Sequence, residues 1–159
     1  MHYCFRAGLY KQGLLHDLSK YAPVEFLVGC RYYQGDRSPN NAEREATGVS
    51  TAWLHHKGRN KHHPEYWVDD IAPDKTPIIP YKYAAEMICD KMAAGMAYEK
   101  EKFSEQYELD YWNKEKQYEK INSRTEQFVT AILEQAVEEG INKTFTKANF
   151  RKNYEKYCK

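Results

Sequence analysis

Residues 80–94, Pro80-Tyr-Lys-Tyr-Ala-Ala-Glu-Met-Ile-Cys-Asp-Lys-Met-Ala-Ala94, carry the clearest helical pattern in the chain. Pro80 is well suited to begin a helix. Residues spaced three to four apart share one helical face, namely Tyr83, Met87, Asp90 and Ala94. Ala84, Ile88 and Met92 widen the apolar side of this face. The stretch therefore predicts a buried helix that carries a carboxylate, Asp90, on its inner side.

Helical patterns also flank this stretch. Before it, helices are predicted over residues 2–12, 14–20, 23–33 and 42–57; the third has Phe26, Leu27 and Cys30 on one side. After it, helices are predicted over residues 123–139, with Ser123 and Glu126 as a capping box, and over 147–157. Strand signals are nearly absent, so the predicted fold class is all-α.

Length and composition indicate one domain, residues 1–159, with residues 1–95 as the half that carries the chemistry and 96–159 as a helical C-terminal part. The content of 42% hydrophobic and 30% charged residues is typical of a soluble globular protein. A net charge of +1 argues against an extended nucleic-acid surface. We expect no membrane segment and no leader, and four widely spaced cysteines favour the cytoplasm. Nothing in the sequence indicates the oligomeric state.

The histidines are the most informative residues, because all six lie within the first 63 positions. They are His2, His16, His55, His56, His62 and His63. His16 is followed directly by Asp17, and an imidazole beside a carboxylate is a mixed ligand set that suits Fe, Mn, Co, Ni or Zn. The doublet alone is a weak signal, since such pairs are common without a metal.

Three further segments strengthen the metal interpretation. The pair His55-His56 ends a predicted helix, and the pair His62-His63 follows after the turn 57–61. That turn can bring one histidine of each pair to the same place, because adjacent side chains on a helix diverge by about 100°. Asp90 and, one turn before it, Glu86 can neighbour the same site. We therefore expect one or two divalent transition metal ions.

Four motifs carry a resemblance to known proteins: HDLSKY at 16–21, AWLHH at 52–56, RNKHHPEYW at 59–67 and EMICD at 86–90. Their order resembles the HD superfamily of metal-dependent phosphohydrolases, and more narrowly a small uncharacterised family within it. The resemblance covers about residues 2–95 and implies an HD-like helical bundle.

The resemblance also implies roles for individual residues. The implied metal ligands are His2, His16, Asp17, His55 or His56, His62 or His63, and Asp90. Asp17 would also orient or deprotonate the attacking water, and Lys20, one helical turn after His16, would contact phosphate. The other implied substrate contacts are Arg59, Asn60, Lys61 and Glu86.

The expected function is hydrolysis of a nucleotide or another small phosphate ester with a metal-activated water. Lys20 and Arg59 favour this interpretation, because phosphate needs cations close to the metal. Two alternatives remain open. One is a degenerate HD scaffold that binds a nucleotide without turning it over, and the other is a di-iron protein of the oxygenase type.

Overall fold

Helices form all the regular structure in residues 1–35 and 37–159, the part of the chain that the computed structural model describes, and no strand occurs among them. The all-α prediction is confirmed. The α-helices are α1 (His2–Arg6), α2 (Tyr10–Leu15), α3 (Pro23–Tyr32), α4 (Pro39–Thr47), α5 (Thr51–Arg59), α6 (Tyr81–Glu99), α7 (Glu105–Glu115), α8 (Ser123–Glu139), α9 (Ile141–Thr144) and α10 (Lys147–Cys158). Short 3₁₀ turns cover Leu18–Tyr21, Pro64–Trp67 and Lys100–Lys102.

Helix α6 lies at the centre of the core, as its apolar pattern predicts. It contacts α1, α2, α7, α8 and α10. The core joins both halves of the chain, and its fully buried large side chains include Met92, Trp112, Phe128, Phe145 and Phe150. None of the helices in the described ranges combines the length and the apolar composition that crossing a membrane would need.

The chain leaves the helical conformation at His16 and Asp17, whereas a helix was predicted over 14–20. Helix α2 ends at Leu15, His16 is extended (φ −55°, ψ 127°), and Asp17 is left-handed (φ 56°, ψ 23°). A left-handed residue is unfavourable for most side chains but is tolerated by Asp. The break places the two side chains on one side of the chain, which two neighbouring residues of a helix would not achieve.

A second break divides the helix predicted over 42–57. Gly48, at φ 82°, ends α4 in the left-handed conformation that glycine adopts at little cost. Ser50 then caps α5, because its side-chain oxygen accepts a hydrogen bond from the Trp53 N–H at 3.0 Å. The new direction lets α5 pack against α3 and brings His55 and His56 to that helix.

Helix α3 turns its apolar side outward. The side that holds Phe26, Leu27 and Cys30 is exposed: Phe26 is 52% and Leu27 64% accessible, and Cys30 is also at the surface. The buried residue of this helix is Glu25. The helix itself was predicted, but its inner face is occupied by a charged residue with strong hydrogen-bond partners.

Candidate metal centre

His16 is held between two carboxylates from α6. Its Nδ1 donates to Glu86 Oε1 at 3.0 Å and its Nε2 donates to Asp90 Oδ1 at 2.9 Å. Only a protonated imidazole donates from both nitrogens. Burial lowers the pKa of His16, but the two carboxylates outweigh burial and raise that pKa to about 10. His16 is therefore charged without a metal, and an ion on Nε2 would have to displace that proton.

The carboxylate of Asp17 lies between the histidines and a lysine. Its Oδ1 is 3.4 Å from His56 Nε2 and 3.5 Å from His62 Nε2. Its Oδ2 accepts from Lys20 Nζ at 2.6 Å and lies 3.4 Å from His16 Nε2. Burial raises the pKa of Asp17, but His16 and Lys20 outweigh burial and hold that pKa below its ordinary value. Asp17 is therefore an ionised carboxylate at the centre of the cluster.

His55 and His56 share one partner, Glu25 of α3. His56 Nδ1 donates to Glu25 Oε2 at 2.8 Å, and His55 Nδ1 donates to Glu25 Oε1 at 2.6 Å. Because Nδ1 of His56 is bound to Glu25, the ring turns its other nitrogen, Nε2, toward Asp17. His56 thus joins the cluster and His55 does not, as the divergence of adjacent helical residues predicts.

The second histidine pair differs from the prediction that only one of its rings would face the site. The two ring centroids of His62 and His63 are 4.3 Å apart, and His63 lies 4.9 Å from the ring of His56. Both residues lie in the turn that follows α5, so the divergence of helical neighbours does not apply to them. Burial and the nearby imidazoles lower the pKa of His63 to about 3, which keeps this ring neutral.

Several buried polar atoms of the cluster have no hydrogen-bond partner. In the described part of the chain there are five such atoms, and three belong here: Asp17 Oδ1, His62 Nε2 and His63 Nε2. An unpaired buried acceptor costs about 1–3 kcal/mol, so three in one place need an explanation. A metal ion among them would satisfy all three.

The donor atoms fit a metal ion in chemistry and spacing. Two groups can converge on an ion, His56 with His62 and His63, and His16 with His62 and Asp90. In each group the ligand atoms lie within 4.8 Å of one another. Asp17 belongs to neither group, but its Oδ1 lies 3.4 Å from His56 Nε2 and 3.5 Å from His62 Nε2, close to the distance of about 3.4 Å between tetrahedral ligands about 2.1 Å from a metal. His62 belongs to both groups, so the site has ligands for one ion or for two neighbouring ions.

Two predicted site residues lie elsewhere than expected. His2 is exposed on α1, its ring contacts Tyr3, and it belongs to neither ligand group. Glu86 is buried behind the imidazoles, with Oε1 at 3.0 Å from His16 Nδ1 and 3.5 Å from His62 Nδ1. This position favours a role in holding the rings, whereas the sequence placed Glu86 among the substrate contacts.

A cavity of about 730 Å³ opens beside the cluster, and we name it the Lys20 cavity. It is bounded by Asp17, Lys20, Asn40, His63 and Tyr98, among others. Of the other predicted phosphate contacts, Asn60 is used internally, since its Nδ2 donates to Ser19 Oγ at 2.7 Å. Arg59 and Lys61 are exposed and border neither this cavity nor the one described below. Lys20 is thus the predicted cation that the fold brings to the cluster.

Glu25 is the functional residue that the sequence did not reveal. It lies two residues after Pro23 and has apolar neighbours, and no spacing links it to the histidines. A position on the buried face of α3 could have marked Glu25 as functional. The apolar residues of that helix, however, suggested that its opposite face is the buried one.

The helices and the cluster define an all-α protein with a histidine and carboxylate site that could hold a metal ion. The chain belongs to DUF5662, a family of unknown function, whose model matches residues 1–135. That range contains every residue of the cluster. No curated protein and no solved structure matches the chain.

Proposed function

We propose that the protein is a metal-dependent phosphohydrolase that acts on a nucleotide or another small phosphate ester. One observation carries the proposal: Asp17 Oδ1 and the Nε2 atoms of His62 and His63 are buried without hydrogen-bond partners, and the other oxygen of Asp17 contacts the ammonium of Lys20. The unpaired atoms favour a cation, and the lysine favours an anion next to it. The four motifs that resemble the HD superfamily support the same conclusion.

The ligands proposed for a divalent transition metal such as Fe, Mn, Co, Ni or Zn are His16, Asp17, His56, His62, His63 and Asp90. Such an ion, when bound, lowers the pKa of a coordinated water toward neutrality and polarises a phosphoryl oxygen. Glu86 and Glu25 hold the imidazoles from behind, which fixes the nitrogen that each ring presents.

Asp17 and Lys20 have different proposed roles in hydrolysis: Asp17 acts on the water and Lys20 binds the phosphate. The ionised carboxylate of Asp17 can accept a proton from, or orient, the attacking water. Lys20 is a cation and a donor, so it binds a phosphate oxygen and cannot ligate a metal. Its Nζ is already positioned by Asp17 Oδ2, 2.6 Å away. The Lys20 cavity would receive the ester.

The roles of Asp17 and Lys20 can be separated by experiment. Asp17→Ala should lose metal and phosphate release together, because a central ligand is removed. Lys20→Ala should keep the metal and lower kcat/KM by about 10-fold or more, the loss typical of a charged hydrogen bond. Lys11→Ala, a change at an exposed lysine of α2, is the matched control. Metal content and phosphate release from a panel of nucleotides and simple esters are the readouts. Loss of metal in Lys20→Ala, or unchanged hydrolysis in Asp17→Ala, would contradict the assignment.

The sharing of His62 between two ligand groups supports a second candidate, a di-iron protein of the oxygenase type. The two candidates make different predictions for the purified protein. Two iron atoms per chain without phosphate release from any ester would favour the second. For either activity we propose the cytoplasm, since all four cysteines are unpaired thiols.

A further inference from the structure

A second cavity, of about 260 Å³, borders the cluster on the side of α7. His62, His63 and Asp90 form part of its wall, and Lys91 is the one lysine or arginine among the described residues that line it. We name it the acidic cavity, because five glutamates also line it: Glu65, Glu99, Glu108, Glu115 and Glu119. Such an excess of carboxylates in a confined space attracts a cation and repels an anion.

Glu108, on α7, is the residue of this cavity that most needs a ligand. It is only 2% exposed, yet its carboxylate makes no hydrogen bond or ion pair with any residue in the described ranges 1–35 and 37–159. Its Oε2 lies against Gly95 of α6, where even a methyl group would overlap it. Burial raises the pKa of Glu108 to about 7. A buried carboxylate that faces a cavity without a partner is costly unless a ligand pairs with it.

The charge of the cavity's lysine, Lys91, lowers the pKa of Glu108 and so opposes the effect of burial, but Lys91 forms its ion pairs with other glutamates. Lys91 Nζ is paired with Glu115 and lies 3.7 Å from Glu119 Oε1. Glu119 itself retains a buried Oε2 without a hydrogen bond. The glutamates do not converge as metal ligands either, since both metal-capable groups found in the described ranges are at the histidine cluster. An organic cation that carries N–H donors would supply the missing partner.

We propose that the acidic cavity binds a protonated amine, which pairs with the carboxylate of Glu108. The rings of Tyr98, Tyr107 and Tyr111 line the same cavity and offer faces that attract a cation. The identity of the amine rests on the proposed function. Because the acidic cavity shares a wall with the histidine cluster, the amine belongs to the organic part of the phosphate ester. The substrate class is then an amine-bearing phosphate ester.

Binding of a simple amine tests this proposal without any hydrolysis. The probes are benzylamine, which is protonated at neutral pH, and benzyl alcohol, a neutral molecule of the same size. Calorimetry on the full chain, with a chelator present so that the amine cannot ligate a metal, measures both affinities. The amine should bind about 10-fold or more tightly than the alcohol. Glu108→Gln and Glu119→Gln should each reduce that preference, and Glu134→Gln, at an exposed position of α8, should not.

Equal binding of amine and alcohol, or an unchanged preference in Glu108→Gln, would overturn the amine site. A second assay compares phosphate release from 6-aminohexyl phosphate and hexyl phosphate. The amine-bearing ester should have the higher kcat/KM, and Glu108→Gln should remove the difference. Equal kcat/KM values for the two esters would overturn the substrate assignment. If the amine binds as expected but neither ester is hydrolysed, the amine site stands and the phosphohydrolase proposal fails.

Discussion

His56 shows how one residue acquires a ligand role from its neighbours. Its ring is buried, its Nδ1 is committed to Glu25, and its Nε2 is 3.4 Å from Asp17 Oδ1. His55 binds the other oxygen of the same glutamate and lies outside both ligand groups. These two imidazoles are adjacent in the chain and bind the same carboxylate, but only His56 is placed to ligate a metal ion.

His56→Ala should therefore lose metal and His55→Ala should keep it. Removal of a partner beyond the ligands typically costs about 10–100-fold in metal affinity, so the loss at His56 should exceed that range. Titration of each metal-free variant with Zn2+ or Mn2+ by calorimetry gives the affinities. Equal affinities in the two variants would contradict the placement of His56.

At the residue scale, most residues of the cluster could be predicted from the sequence, but the carboxylate that holds the imidazoles of His55 and His56 could not. Residue type alone marks His16, Asp17 and Asp90 as potential ligands. The order of their motifs along the chain suggested that they belong to one site. Glu25 was missed because its link to the histidines depends on how α3 packs, which spacing in the sequence does not contain. The exposure of His2 likewise follows from the packing of α1 and not from residue type.

At the scale of elements, breaks between helices decide the geometry of the site. The left-handed Asp17 and the glycine at position 48 each interrupt a helix that periodicity predicts as continuous. The spacing of apolar residues indicates which face of a helix is buried. It does not indicate where one residue departs from helical dihedral angles, so these breaks were not predicted. The strongly periodic helix α8 was predicted with its observed bounds, and the start of α6 was predicted within one residue, although that helix runs five residues beyond the pattern that ends at Ala94.

The beginning of α8 provides a test at this scale. Asn122, and not the predicted Ser123, is the N-cap: its Oδ1 accepts from the Arg124 N–H at 3.0 Å. Its Nδ2 also donates to Thr76 O at 2.7 Å. Asn122→Ala should therefore lower the free energy of unfolding by about 1–2 kcal/mol, and Ser123→Ala by much less. Urea unfolding of both variants measures this, and a larger loss for Ser123→Ala would place the cap at the predicted residue.

At the scale of the molecule, the acidic cavity links stability to pH. The pKa of Glu108 is raised from 4.5 to about 7, so the folded protein binds the proton more tightly than the unfolded chain. Its contribution is fully favourable below the unfolded pKa and is lost as the pH rises through about 7. A shift of that size corresponds to about 3 kcal/mol.

Glu108→Gln should consequently stabilise the metal-free protein by up to about 3 kcal/mol at about pH 8.5 and change little at about pH 5. Glutamine resembles the protonated glutamate in shape, which explains the small effect in acid. Urea unfolding at both pH values, with Glu134→Gln as control, provides the measurement. Equal stabilisation at the two pH values would show that the charge of Glu108 is not the cause.

The central claim is that the cluster binds a divalent metal, and elemental analysis tests it most directly. The full chain is purified without a histidine tag, dialysed against Mn2+ or Zn2+ and then against metal-free buffer, beside Asp90→Asn and the exposed control Glu134→Gln. The account predicts one or two ions per chain in the parent and the control, and a clear loss in Asp90→Asn. A metal content no higher than that of the buffer, or the same content in Asp90→Asn as in the parent, would contradict it.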